Sequence, residues 1–122
     1  MSKFSDDLSE RFMIFAINVL KIEKELCKTV SGKHIYLQLF RAGTSSGANY
    51  EEARAGESRA DFIHKMQITL KELREAHYWI KLIVASSIVA DTSKVLEFLS
   101  KESKELLNII GKSVVTAKSK IK

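Results

Sequence analysis

The residues best placed to do chemistry are few, and each of their patterns lacks a part. Gly43-Thr44-Ser45-Ser46-Gly47 has the G-x-S-x-G spacing of a hydrolase nucleophile elbow. That device holds its serine on a strand-to-helix turn, with an acid and a histidine following, and no strand pattern leads into this stretch. Gly111-Lys112-Ser113 ends like a phosphate-binding loop, but Leu106 stands where such a loop needs its upstream glycine. His64, Glu72, Glu75 and His77 put titratable groups on one helical stretch, yet the Glu-x-x-His spacing by which helical bundles hold paired metal ions is absent. These histidines read as surface or inter-helix residues. Cys27 is the only cysteine, so no internal disulfide forms, and its place beside Leu26 predicts a buried, unreactive thiol. The expectation is a chain with no catalytic group, no metal and no cofactor: not an enzyme.

Charge is the other chemical resource. Residues 1–57 carry eight basic and eight acidic side chains and residues 58–122 twelve and seven, so the net charge of +5 lies wholly in the second half. Beyond Glu105 there is no acid, and Lys112, Lys118, Lys120 and Lys122 make a basic helix end. Cations there complement the carbonyl end of a helix dipole, and they also suit phosphates. The lysines lack the bidentate pairing of Arg, Asn or Gln with base edges. No aromatic lies beyond Phe98 to stack on a base. Any nucleic-acid binding is therefore expected to be non-specific.

The elements that must position these groups are helices. The chain has 122 residues, no proline and five glycines, and its apolar residues recur three and four apart, which predicts one all-α domain over 1–122. Ser5 or Asp6 is expected to cap a first helix over about 6–30, with a core stripe of Leu8, Phe12, Phe15, Val19, Ile22 and Leu26. Gly32 marks a break before a second helix, about 33–55, that closes at Gly56 with a positive-φ residue. Ser58 and Asp61 form a capping pair for a third, about 59–87. Its stripe is Phe62, Met66, Thr69, Leu73, Ala76, Ile80 and Ile83. Asp91 or Thr92 opens a fourth, about 92–121, with Val95, Leu99, Leu106, Ile110, Ala117 and Ile121 inward. Lys71 with Glu75, Glu97 with Lys101 and Lys101 with Glu105 read as exposed pairs within helices. The N-terminus is acidic where a secretory peptide would turn apolar, and the longest uncharged apolar-rich run, 82–90, is too short for a membrane span. A cytoplasmic location is expected.

Two features exceed what one bundle needs. Met13, Ile14, Ala16 and Ile17 lie off the first stripe, and Tyr78 to Val84 is apolar except for Lys81. Apolar residues all round a helix predict a second partner surface, so Met13, Ile14, Ile17, Tyr78 and Trp79 are taken as contacts of a homo-oligomer. Arg41, Ser45, Asn49 and Glu52, spaced four, four and three, form a polar edge beside small residues. That edge is read as a hydrogen-bonded seam, with Lys71 or Arg74 as partner of Glu52.

Arg41, Gly43-Thr-Ser45, Gly47-Ala-Asn49, Glu52, Ser58-Arg-x-Asp-Phe62, Leu70-Lys-Glu72 and Tyr78-Trp79 together resemble the signature of the bacterial four-helix bundle family that includes proteins encoded within intervening sequences of 23S ribosomal RNA genes. The resemblance covers about two thirds of the chain. It implies a four-helix bundle, here read as antiparallel and up-and-down, and no enzymatic activity. It also implies a homopentamer, and it extends to accessory proteins of diversity-generating retroelements that bind nucleic acid. With the basic tail, that makes RNA or DNA the expected partner, with no small-molecule substrate, through the tail lysines first and Arg41, Arg54 and Arg59 second. Two departures stand out: Ser46 occupies a position that is often apolar in relatives, and the proline many members carry in or before the second helix is missing.

Overall fold

The computed structural model describes residues 2–120, which fold as α1 (Lys3–Lys21), α2 (Glu23–Leu26), α3 (Val30–Arg54), α4 (Arg59–Ser86) and α5 (Lys94–Ser119), with no strand among them. The single turn α2 continues α1 across Ile22, whose N–H still bonds to Asn18 and Leu20 carbonyls, so the chain has four long helices. Each packs against its sequence neighbours, and α1 also packs against α5. Short connections and this closed order make an antiparallel up-and-down four-helix bundle. One end of it collects the start of α1, the end of α3, the start of α4 and the end of α5.

The helix starts are set by side-chain caps. Ser2 Oγ accepts from Ser5 N–H, so α1 begins at Lys3, ahead of the expected Ser5 or Asp6 cap. Thr29 Oγ1 accepts from Gly32 N–H at 3.0 Å, which starts α3 at Val30 and draws Gly32 inside it. A β-carbon on Gly32 would lie 1.9 Å from the Leu26 carbonyl oxygen, so glycine is required by close approach of the two helices. Ser58 caps α4 as its sequence predicts, accepting from Asp61 N–H at 3.0 Å. Ser93, rather than Asp91 or Thr92, caps α5. Gly56 follows α3, but no glycine takes a positive φ among the described residues. The one left-handed residue among those described is Ser87, which ends α4. Ile121, expected to extend the α5 stripe, lies outside the described residues.

The α1 stripe from Leu8 to Leu26 is buried throughout, each side chain of this size contributing about 1.5–3 kcal/mol. Opposite it, α3 presents small residues. A β-carbon on Gly43 would stand 3.0 Å from Val19 Cγ2, and one on Gly47 3.2 Å from Phe12 Cβ. The glycines thus cost helix propensity but let the backbones approach over two aromatic side chains. Ser46 is fully buried and donates to the Gly43 carbonyl at 2.8 Å, so this polar departure is satisfied within its own helix. With no proline, α3 runs uninterrupted for 25 residues.

Candidate nucleic-acid interface

Each pair of neighbouring helices carries a polar cross-link, and these determine which charges remain available. Between α1 and α5, Arg11 grips Glu102 bidentately at 2.9 and 2.6 Å, with Glu105 at 3.5 Å. The hydrogen bond it donates to Glu102 holds the guanidinium in its charged form. Between α1 and α3, Tyr50 donates to the Ser5 carbonyl, Ser9 bonds Glu51, and Arg54 pairs with Asp6 and Glu51. Between α4 and α5, His77 Nδ1 meets the buried Ser103 hydroxyl at 2.9 Å. Burial, and then Lys81 and Lys104, hold His77 below its ordinary range.

Between α3 and α4 the expected seam takes a different form. Arg41 reaches Glu72 and Glu75, and the hydrogen bond from Arg41 keeps Glu75 ionised. Glu52 pairs with Lys65, six and nine residues before the expected Lys71 and Arg74. Asn49 donates to the Ser45 carbonyl of its own helix, and the Ser45 hydroxyl makes no bond among the described residues. Among the described residues no side chain of the row bonds to another side chain of the row; its two ends tie α3 to α4. Glu75 is therefore engaged by Arg41 and Trp79 rather than by Lys71, and the expected Glu97–Lys101 and Lys101–Glu105 pairs do not form among the described residues.

The candidate phosphate contacts divide. Arg54 is mostly buried and doubly paired, and its Nε lacks any partner; it joins α1 to α3 and is withdrawn as a surface contact. Arg59, Lys112 and Lys120 converge on one cleft of about 420 Å³ at the end of the bundle, lined also by Phe4, Phe62 and Ile109. All three cations are exposed, and none forms an ion pair among the described residues. Lys112 and Thr116 of α5 and its C-cap Lys120, whose backbone is still helical, stand four apart and share a face. Lys118, two residues before Lys120, is exposed but does not line the cleft. Lys122 lies outside the described residues.

The tail thus does have aromatic neighbours, supplied by α1 and α4. Sequence reasoning missed them because the search ran along the chain, whereas bundle topology brings Phe4 and Phe62 to residues more than forty positions away.

The candidate oligomer contacts are surface residues of the bundle. Met13 is 64% exposed, Tyr78 55%, and Ile14 and Ile17 about 40%, and Leu20 of α1 and Leu37 and Phe40 of α3 are further exposed apolar residues. Trp79 is half-buried, donating to Glu75 and edge-on to His34. Met13 also edges a groove of about 700 Å³ between α1 and α3, floored by Ala16, Thr44, Gly47 and Ala48.

The remaining motifs lie where their devices do not operate. Gly43 to Gly47 sits inside α3 and Gly111 to Ser113 inside α5, each within continuous helix. Among the described residues no group of three or more His, Cys, Asp or Glu side chains is arranged to hold a metal ion, and no helix is long and apolar enough to cross a membrane. Cys27 is half-buried, and burial raises its thiol above the usual range.

A family model described as 23S rRNA-intervening sequence protein matches residues 7–112. Among solved structures, the crystal structure of a protein of unknown function from the S23 ribosomal protein family of Bacteroides thetaiotaomicron is similar to this chain. The two are 30% identical, the match covers 90% of this chain and 96% of that one, and the TM-score is 0.76. No curated protein matches.

Proposed function

The chain belongs to the 23S rRNA-intervening sequence protein family, and from that premise we propose that it is a non-enzymatic, self-associating bundle that binds RNA or DNA through the basic cleft at the end of α5. The observation that carries this reading is the convergence of Arg59 with Lys112 and Lys120, three exposed cations that no acid engages among the described residues. Arg11, Arg41, Arg54 and Lys65, by contrast, each meet a carboxylate. Cations left without partners in one concavity repel one another, and a polyanion relieves that repulsion.

Five protomers, the number suggested by the resemblance, would carry a formal 5 × (+5) = +25. Repetition of the cleft would turn a weak site into a strong one by avidity. Binding is positional rather than sequence-reading, since the lysines form no bidentate fork for a base edge. Salt titration of a labelled oligonucleotide tests it. Affinity should fall between about 50 and 200 mM salt with a log–log slope steeper than about −3.

The groove between α1 and α3 favours a second reading, a purely structural or protein-binding oligomer with an incidental basic end. Absence of retention on RNA and DNA at low salt would select it.

A further inference from the structure

Phosphate binding alone leaves one part of the cleft unexplained. Phe4, the second residue of α1, is 61% exposed and lines the same concavity as Arg59, Lys112 and Lys120. Behind it, Phe62 and Ile109 are partly buried against the core and give the cleft an apolar bed. The acids in the neighbouring turns of α1 are engaged elsewhere, Asp6 by Arg54 and Asp7 by Lys3. The cleft is therefore an aromatic platform rimmed by cations.

A duplex has no use for such a platform, because its bases are stacked on one another and only its backbone reaches a concavity of about 420 Å³. A single strand offers an unstacked base with a π-face and a phosphate on either side of it. We propose that this cleft is a single-strand site in which one base stacks on Phe4 while the flanking phosphates lie on Arg59, Lys112 and Lys120. The assignment rests on the nucleic-acid reading above and narrows it from any polyanion to an unpaired segment. Base identity is not read, since every base has a face to stack.

Fluorescence anisotropy of the full chain tests this with three probes of about 12 nucleotides, within the usual span of single-strand sites: an oligouridylate strand, an abasic strand of equal phosphate number, and a duplex. The intact strand should bind at least about fivefold tighter than the abasic one. Phe4→Ala should remove that advantage while leaving duplex binding and the salt slope unchanged. Phe4→Trp should restore it, which separates loss of the ring from loss of the fold, and circular dichroism of each variant completes that control. Equal binding of intact and abasic strands, or an unchanged affinity in Phe4→Ala, would overturn the stacking site. In that event a loss on replacing Arg59, Lys112 and Lys120 with glutamine would still uphold phosphate binding at the cleft. If the parent bound no probe at low salt, both readings would fall together.

Discussion

Glu102 lies three residues after Leu99 and four before Leu106, on the apolar stripe of α5, where its carboxylate is buried and matched by Arg11. A charge on an apolar stripe was a visible signal that some cation must reach it; which one was not visible, because Arg11 is 91 positions away. Arg11→Ala should therefore cost on the order of 1–3 kcal/mol in chemical denaturation, since it leaves Glu102 buried and unmatched. The paired change Arg11→Met with Glu102→Leu should recover most of that loss. The glycines give a second contrast. A β-carbon at Gly43 meets Val19 at 3.0 Å, whereas one at Gly111 meets nothing within 4 Å. Gly111→Ala should raise stability by about 0.5–1 kcal/mol through helix propensity. Gly43→Ala should lower it by separating α1 from α3. If both variants melted alike, close packing would not explain the small residues of α3.

At the scale of the helices, periodicity made the stripes of α1 and α4 legible, because burial of one face follows directly from spacing. Boundaries were less so. Ser58 was readable from its pairing with Asp61, but Thr29 and Ser93 each had nearby rivals with equal capping chemistry, and the choice depends on where the neighbouring helix ends. The polar edge of α3 was legible as an edge and not as a network. Glu52→Ala, which breaks only a half-exposed pair with Lys65, should cost no more than about 1 kcal/mol, less than a mutually bonded seam would lose. The α4–α5 contact carries a pH dependence through His77, which faces Ser103 with Lys81 and Lys104 near it. Its folded pKa is lowered from 6.5, so as pH rises through the range below that value the unfolded chain binds more protons than the folded one and stability rises. The melting temperature should thus drop as pH falls from about 7.5 to about 5. His77→Gln should flatten the dependence, and an equal drop in that variant would place the titration elsewhere.

For the whole molecule, the all-α class and the bundle were legible, while the cleft was only half so. Its lysines stood out by charge, but joining them to Arg59 and Phe4 required knowing that the starts of α1 and α4 share an end with the close of α5. The exposed Met13, Ile14 and Ile17 on α1 and Tyr78 on α4 should give an oligomer mass by light scattering at micromolar concentration. A monomer would mean that these faces stay solvated. The central claim is that the converging cations of one cleft bind nucleic acid, and it is tested most directly by comparing the parent with a variant carrying Arg59→Gln, Lys112→Gln and Lys120→Gln in a salt titration of a labelled single strand. The account predicts at least a tenfold weaker affinity at about 50 mM salt and a log–log slope shallower by about 2 to 3 for each cleft engaged, with the oligomer mass unchanged. Undiminished affinity and an unchanged slope in the triple variant would contradict it.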